Sequence, residues 1–509
     1  MSSIRTFAIS FDGFTKRKPR EAAFVVGWAC PPAPRGGLKP TLRADTGRNA
    51  PTATPRTQPD STQAYADIEA EDAPVAGTMN RRFAFFWVVV IAIAGVATHT
   101  AARQPDQAPP LPPPDGSFTI VNVSTAQQLA DACWNLASNE AIVIAPGTYH
   151  LDAVDFPNGV DGRLTVGHFG ANPIQNIQIR GATGNPSDVV LLGAGMLDAT
   201  VPFGFQVFTA TDVVIADLSI GSIYYHALAV QGDQGAQRVR VYHSRLFDAG
   251  QQIVKGVPGA DDVTIEYSEL FLSAGAVNHP EGAPPGSCYT NAIDGVASDR
   301  WIVRDNLIHG IWFQDFSLAG PSILLWQGSA DTIVERNTIV DSARGIALGL
   351  ISADDHFGGR IRNNFIAWNA AASYAIDVPI YTTSPNALIL HNTALTAGRY
   401  PNAVEVRYGG ATGVEVRNNL LDAAIQPRDG ASPAVSGNLE NAIPQWFADT
   451  AAGDLHLTAL ATPAIDQVTR LPEALDDFDA QVRPAGAFEA DVGADEFAVI
   501  DAIFANGFE

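Results

Sequence analysis

The stretch TIVERNTIVDSARGIALGL, residues 332–350, contains the pattern that decides the fold. Its apolar residues alternate with polar ones for a few positions, stop at an Arg-Asn pair, resume, stop at Ser-Ala-Arg-Gly and resume again. Alternation is typical of a strand with one buried face, and the interruptions are typical of tight turns. The stretch therefore predicts three short strands separated by turns.

The same unit recurs along the second half of the chain, and five copies align on an asparagine separated by 31, 27, 28 and 27 residues: Asn306, Asn337, Asn364, Asn392 and Asn419. A period of this length, built from strands and turns without helices, predicts a solenoid whose coils stack around one core. Three strands per coil predict an all-β parallel β-helix. We expect the asparagines to lie in sharp bends and to hydrogen-bond to the backbone or to one another.

Composition narrows the class of protein and partner. The 509 residues are 46% hydrophobic, which is enough for a large core. Lys and Arg total 31 against 54 Asp and Glu, and the net charge of -23 argues against a nucleic-acid partner or an anionic membrane surface. The sequence contains no Cys-x-x-Cys pair and no Cys/His cluster that would predict a zinc site.

The N-terminal region predicts export. Residues 79–102 have two arginines, the apolar run Phe83–Ala97 and then small and polar residues, which is the order of a secretory signal peptide. An uncleaved signal anchor is the alternative. Residues 1–78 lack periodicity and are predicted to be disordered. The alternative is that the start codon was placed too early and that Met79 is the true start. Residues 103–117 form a Pro-rich linker, and the predicted location is secreted, periplasmic or cell-surface.

Two cysteines, Cys133 and Cys288, remain after removal of the signal peptide. An oxidising compartment would allow them to pair, but sequence does not show whether they come close enough. The C-terminal tail, residues 498–509, has no assigned role.

Two further stretches, SFTIVNVSTAQQLADACWNLASNEAIVIAPGTYHL at residues 117–151 and DDFDAQVRPAGAFEADVGADEF at residues 476–497, accompany the repeats. Together they resemble the right-handed parallel β-helix proteins of the pectate-lyase-like superfamily. The resemblance implies one right-handed solenoid over residues 118–497 with an N-terminal cap helix near residues 125–137. It does not specify activity, because this superfamily includes polysaccharide lyases, glycoside hydrolases, esterases, epimerases and adhesins.

The third strand of each coil carries the predicted site. Outward positions on successive coils of a β-helix form a column with a spacing of about 4.8 Å, which suits a linear polymer. If Val254, Ile293, Ile376 and Val406 point inward, alternation sends four charged residues outward. These are Lys255, Asp294, Asp377 and Arg407, with Glu405 beside Arg407, and with Trp326 and Gln327 between the two aspartates.

Such a column predicts β-elimination in an acidic polysaccharide. Lys255 is the candidate base, Arg407 the clamp for the substrate carboxylate, and Asp294 and Asp377 are candidate acid/base groups or calcium ligands. Hydrolysis by two carboxylates is an alternative. The simplest alternative is that these are solvated or paired surface charges, for example Lys255 with Asp294. Lyases of this fold that use a Lys base also use an Arg acid, and no arginine of this chain lies at an obviously matching place.

An irregular coil adds a loop beside this column. Ser268 and Asn306 are 38 residues apart, about ten more than a regular coil, and the excess falls in SAGAVNHPEGAPPGSCYTN, residues 273–291. Loops on a rigid scaffold often form binding walls. We therefore predict substrate contacts from Tyr289 in this loop and from His226 in the preceding coil.

The sequence thus predicts an exported, monomeric enzyme that binds a polysaccharide, most directly a lyase. The competing hypotheses are a glycan-binding surface or adhesion protein, a glycoside hydrolase, and a purely structural solenoid.

Overall fold

The computed structural model describes residues 108–157, 162–282 and 285–497. The segments predicted to be disordered or mis-started (1–78), to be a signal peptide (79–102) and to form a C-terminal tail (498–509) lie outside the described residues, as does the start of the predicted linker. No helix within the described part of the chain is long and apolar enough to cross a membrane.

Three long parallel sheets form the body of the protein. Sheet 1 has twelve strands: Thr119–Val123, Glu140–Ile144, Ile174–Gly181, Ala210–Ala216, Gln237–Tyr242, Thr264–Glu266, Ile302–Arg304, Ile333–Glu335, Arg360–Arg362, Leu388–Leu390, Glu415–Arg417 and Ala434–Ser436.

Sheet 2 has ten strands: Gly147–His150, Val189–Leu192, Ser219–Ile223, Arg245–Ala249, Glu269–Phe271, Leu307–His309, Thr338–Val340, Phe365–Ala367, Thr393–Leu395 and Leu420–Leu421. Sheet 3 also has ten: Leu164–Val166, Phe203–Val207, His226–Val230, Val254–Gly256, Ile293–Val296, Ile323–Trp326, Ile346–Leu348, Ile380–Thr382, Asn402–Arg407 and Ala424–Arg428. Two small pairs complete the structure, Ser329–Ala330 with His356–Phe357 in parallel and Phe447–Asp449 with Asp454–Leu457 antiparallel.

The chain visits the three sheets in turn, and neighbouring strands of a sheet come from successive coils. Residues 332–350 supply Ile333–Glu335 to sheet 1, Thr338–Val340 to sheet 2 and Ile346–Leu348 to sheet 3. The predicted coil of three strands is therefore confirmed. The right-handed parallel β-helix fold is confirmed with it.

Stacked aliphatic residues fill the cylinder. In sheet 1, Val303, Val334, Ile361 and Ile389 are in register on consecutive coils, and each is fully buried. β-Branched side chains suit these positions because they pack well on the pleated surface. Burial of one such side chain contributes about 1.5–3 kcal/mol relative to exposure, so the stacks supply most of the driving force.

The asparagines form a hydrogen-bonded ladder between sheets 1 and 2. Asn337 Nδ2 donates to Asn364 Oδ1 at 3.0 Å, and Asn364 Nδ2 donates to Asn392 Oδ1 at 2.9 Å. The same contact joins Asn306 to Asn337 and Asn392 to Asn419, and it continues to Asn438. The residue before each repeat asparagine has a positive φ, for example 52° at Arg336. The predicted role of the asparagines in sharp bends is confirmed.

One α-helix, Ala126–Trp134, connects the first two strands of sheet 1. Thr125 caps it by accepting a hydrogen bond from the Gln128 backbone N–H. The buried face of the helix consists of Leu129, Ala130 and Cys133. The helix contacts Leu164–Val166 at the end of sheet 3 as well as the first strands of sheet 1. Its predicted role as a cap over the open end stays a prediction.

The C-terminal segment packs on the outside of sheet 2. A second apolar cluster joins Phe365 and Leu420 of sheet 2 to Trp446, Leu457 and Phe478 of this segment. Cys133 and Cys288 are both buried and free, so they do not form a disulfide in this structure.

Candidate functional site

The outer column of sheet 3 is defined by strand register. Lys255 is paired with Asp294 across adjacent strands, as the sequence predicts. Lys255 Nζ lies 2.6 Å from Asp294 Oδ2. The lysine side chain is 18% exposed and the aspartate side chain 1%, so the ammonium group is the part of this pair that solvent or a ligand reaches.

Trp326 completes the site around Asp294. Its indole Nε1–H donates to Asp294 Oδ1 at 2.9 Å, so the two carboxylate oxygens have different donors. Trp326 is 3% exposed, which leaves little ring surface for stacking against a sugar. Its observed contact is therefore a positioning one, whereas the sequence predicted direct substrate binding.

His226 lies at the start of the neighbouring strand. Its Nδ1 is 2.8 Å from the Gln252 carbonyl oxygen, which can only accept, so Nδ1 carries the hydrogen and Nε2 is the acceptor in the neutral ring. Burial is the main cause that lowers the pKa of His226 to about 3, and the charge of Lys255 also lowers it. His226 is therefore neutral at physiological pH.

The irregular loop, residues 273–291, is anchored next to His226. Tyr225 donates to Glu281 Oε2 at 2.5 Å, and Gln251 Nε2 donates to the Glu281 carbonyl at 2.9 Å. His279 is fully buried, and its Nε2 is 2.9 Å from the Tyr224 carbonyl oxygen. Tyr289 is half-buried in the same loop, four residues before Asp294's strand begins. The loop thus lies beside the Lys255 strand, as predicted.

A second cation extends this end of the face. Arg163 Nη1 donates to Gln206 Oε1 at 2.6 Å, and Gln206 occupies the outer column two strands before Lys255. Arg163 was not predicted from the sequence because it precedes the region where the repeat is recognisable. Lys255 is the only lysine among the described residues, and this isolation is a further signal present in the sequence.

Beyond Asp294 the column is apolar, and here the predicted alignment is wrong. The register places Leu324, Ala347 and Tyr381 on the next three strands. Together with Trp326 and Val378 they form a separate buried cluster outside the cylinder. The column therefore carries polar groups at its two ends and apolar residues between them.

Asp377 does not belong to the column. The strand begins at Ile380, so Tyr381 takes the position that the sequence alignment gave to Asp377. Asp377 Oδ2 is 2.6 Å from Arg344 Nη2, and Asp377 Oδ1 accepts the Val378 backbone N–H. A turn of different length displaced the strand by several residues, which alternation alone does not reveal.

Glu405 and Arg407 are on the predicted outer face but far from Lys255. Their strand is four steps from that of Asp294, about 19 Å at the usual strand spacing. Glu405 is 2% exposed and accepts from Arg428, Asn402 and Tyr400. Arg407 pairs with Asp429. Arg407 is thus too distant to clamp a sugar that contacts Lys255.

Gln327 follows Trp326 in a left-handed turn with φ 56°, and its backbone N–H donates to Asp355 Oδ1 at 2.9 Å. It is half-buried at the edge of the apolar stretch. Its predicted contact with substrate stays a prediction.

The predicted calcium ligands do not share a site. Asp294 is held by Lys255 and Trp326, and Asp377 by Arg344. Within the described residues, the only group of three or more His, Cys, Asp or Glu ligand atoms close enough to hold one ion lies elsewhere, at His456, Asp479 and Asp495.

No protein-family model matches the chain, and no curated protein matches it. Among solved structures, an alginate lyase from Paenibacillus sp. str. FPU-7 is 18% identical with a TM-score of 0.40, covering 62% of this chain and 98% of that one. The pectate lyase Pel9A is 14% identical with a TM-score of 0.38, covering 75% and 97%.

PfbA, a surface adhesin of Streptococcus pneumoniae, is 13% identical with a TM-score of 0.41, covering 63% of this chain and 80% of that one. The chain is a right-handed parallel β-helix protein, because successive coils build its three parallel sheets. Likeness at this level of identity concerns the fold and leaves the activity to the site.

Proposed function

We propose that this protein is a polysaccharide lyase that cleaves an acidic, uronate-containing polymer on the outer face of sheet 3. The observation that carries the proposal is the 2.6 Å contact between Lys255 and the buried Asp294, made by the only lysine of the described residues. The lysine is the exposed member of this pair, and it lies beside the neutral His226 and an anchored loop.

In β-elimination a base removes the proton next to the uronate carboxylate, a carbon–carbon double bond forms, and the bond to the leaving sugar oxygen breaks, after which that oxygen takes up a proton from the solvent. A lysine acts as a base only as the free amine, which takes up the substrate proton and becomes an ammonium group; Asp294 Oδ2, at 2.6 Å, orients that amine and pairs with the ammonium group. Trp326 holds the other oxygen of Asp294 and so fixes the direction of this contact.

The charge of this face favours an anionic polymer although the whole chain is acidic. Arg163 and Lys255 lie three strands apart on the face, about 14 Å at the usual strand spacing. A polymer that carries one carboxylate per sugar can contact both cations at once.

The test is the ultraviolet absorbance of unsaturated uronate product when the purified full chain is incubated with polymannuronate, polyguluronate and polygalacturonate. Lys255→Ala should abolish the increase. Lys255→Arg keeps the positive charge but is a poor base, so it should retain binding and lose elimination. The control is Arg245→Ala, which removes the cation of a cross-strand pair with Glu269 on sheet 2 and should leave activity unchanged.

Full activity in Lys255→Ala would contradict the lyase mechanism. If Lys255→Arg is as active as the wild type, Lys255 neutralises the substrate carboxylate and another group, with His226 first, is the base. Calcium at Asp294 or Asp377 stays part of the proposal only if a calcium-selective chelator abolishes activity and calcium restores it.

A non-catalytic glycan-binding protein is the second candidate. The observation that favours it is that Lys255, Asp294 and Trp326 already satisfy one another, as a structural network would. It predicts saturable binding of a polyuronate without any absorbance increase and loss of that binding in Lys255→Ala.

We further propose that the protein is exported, on the strength of the two arginines and the apolar run Phe83–Ala97. N-terminal sequencing of the protein recovered outside the cytoplasm should begin near residue 103. Recovery of an intact Met79 at the N-terminus would indicate a signal anchor.

A further inference from the structure

We propose that the C-terminal segment binds one divalent transition-metal ion through His456, Asp479 and Asp495. One ligand atom of each residue lies within 4.8 Å of the others. His456 and Asp495 are buried, and the Asp479 side chain is 10% exposed. This group lies outside the sheet 3 face and is independent of the proposed activity.

Three separate parts of the chain meet at this point. His456 belongs to strand Asp454–Leu457, Asp479 follows the buried Phe478, and Asp495 is near the end of the described chain. The imidazole ring packs edge-on against Phe365 at 5.1 Å and Phe478 at 5.6 Å, with interplanar angles of 89° and 86°. Its orientation is therefore fixed by the apolar cluster before any ion binds.

Hydrogen bonds to neighbouring groups orient these side chains, as such bonds do around known metal ions. His456 Nδ1 is 2.5 Å from Asp454 Oδ1, and the other ring nitrogen, Nε2, is 3.2 Å from Asp479 Oδ2. A carboxylate on one imidazole nitrogen with a metal on the other is the usual arrangement of metal-binding histidines. Asp495 Oδ2 accepts the Leu457 backbone N–H at 2.7 Å, which orients that carboxylate too.

An independent observation comes from Asp477, which is fully buried. Its Oδ2 has no hydrogen-bond partner within the described residues. Its other oxygen, Oδ1, accepts the Gln481 backbone N–H at 2.7 Å. The charge of Asp477 acts on Asp495, and that of Asp479 acts on Asp477, so these carboxylates lie near one another. A buried acceptor without a donor is costly and calls for a cation.

The nearby positive charge, that of Arg483, is already paired with other groups. Arg483 also acts on Asp477, but its guanidinium is bonded to Glu496, Asn363 and the Gly493 and Ala494 carbonyls. The His456 imidazole contacts Asp454 and Asp479 and lies close to Asp495. A dication balances this excess of negative charge better than the imidazolium alone.

The donor set selects the kind of ion. One imidazole nitrogen with carboxylate oxygens suits Zn²⁺ or Mn²⁺, whereas Ca²⁺ and Mg²⁺ prefer oxygen ligands alone. Because the ligands come from three parts of the segment, the ion would hold that segment together on sheet 2.

The experiment uses the full chain without a tag, treated with a chelator and then titrated with Zn²⁺, Mn²⁺, Ca²⁺ or Mg²⁺ by calorimetry. We expect one saturable site per chain for Zn²⁺ or Mn²⁺, a rise in Tm on binding, and much weaker effects of Ca²⁺ and Mg²⁺. Failure of both Zn²⁺ and Mn²⁺ to bind saturably would overturn the proposal.

Variants locate the site. Asp479→Asn should abolish binding, and Asp454→Asn, which changes only the outer contact, should weaken it about 10–100-fold. The matched control is Asp466→Asn. Asp466 is an exposed aspartate of the same segment with a left-handed backbone, and asparagine tolerates that backbone conformation. Equal affinity in Asp479→Asn and Asp466→Asn would place the ion elsewhere.

If Asp479→Asn does not fold, the visible spectrum of bound Co²⁺ is compared between the wild type and Asp454→Asn. A spectrum that Asp454→Asn leaves unchanged would contradict the site.

Discussion

Lys255 and Asp294 are direct cross-strand partners on sheet 3, with Nζ 2.6 Å from Oδ2. Their environments differ, because the aspartate side chain is 1% exposed and the lysine side chain 18%. A fully buried carboxylate depends on its partners more than a partly exposed lysine does. The pair is therefore both the candidate chemistry of this face and a local determinant of stability.

This asymmetry predicts the stability of two variants. Lys255→Ala should lower the free energy of unfolding by about 3 kcal/mol, since it leaves the Asp294 charge buried without its cation. The double variant Lys255→Met/Asp294→Leu should recover most of that loss, because it removes both charges. Urea unfolding of the two variants measures the difference. A double variant no more stable than Lys255→Ala would contradict the explanation.

The sequence predicted the architecture because the repeat encodes it redundantly. Each coil repeats an inward aliphatic residue and an asparagine at a bend, so an error in one coil does not change the fold. Asn337 and Asn364 could be aligned across coils without knowing any contact, and their hydrogen bond follows from that alignment. The C-terminal segment carries no such period, and its packing on sheet 2 was not predicted.

The site was predicted less completely because it depends on single coils. Lys255 and Asp294 were aligned correctly although a long loop precedes Asp294, because each lies between an inward aliphatic residue and a glycine. The coil that contains Asp377 has a longer connection, so its strand begins at Ile380, and the outward position belongs to Tyr381. Arg163 precedes the clear repeats. Burial of Trp326 depends on an outer apolar cluster that no periodicity reveals.

The asparagine ladder provides a second prediction. Asn364 is fully buried, donates to the Val334 and Arg362 carbonyls and to Asn392, and accepts from Asn337. Asn364→Ala leaves several of these groups without partners and should lower the free energy of unfolding by about 3 kcal/mol.

The control for the ladder is Asn438→Ala, at the ladder's half-buried end, where water can replace the lost contacts. Chemical denaturation of both variants should show the larger loss for Asn364→Ala. Equal losses would mean that position in the ladder does not matter.

Acid should destabilise the cylinder through His356. This residue is fully buried between Ser384 and Thr332, and burial lowers its pKa to about 3. Between the ordinary pKa of about 6.5 and this value, the unfolded chain binds a proton that the folded chain does not, so stability falls as pH falls. At pH 4.5 this histidine alone should account for a loss of up to about 2.5 kcal/mol relative to neutral pH.

His356→Gln keeps a polar side chain but cannot titrate in this range. The difference in unfolding free energy between pH 7.5 and pH 4.5 should therefore be smaller in the variant than in the wild type. The same pH dependence in both proteins would exclude His356 as its source.

The described part of the stretch predicted to be a Pro-rich linker is bound to sheet 1. Arg180 donates to the carbonyls of Leu111 and Pro112 at 3.1 and 2.6 Å, and the Tyr242 hydroxyl donates to the Pro109 carbonyl. An extended proline-rich chain makes no hydrogen bonds of its own, so these three contacts replace the internal bonds of a regular element.

Tyr242→Phe should therefore increase the rate at which a nonspecific protease cleaves within residues 108–117, with a stability loss of only about 1 kcal/mol. Tyr149→Phe is the matched control, because it removes a hydroxyl contact to the Ala145 carbonyl without touching this stretch, and its cleavage rate there should equal that of the wild type.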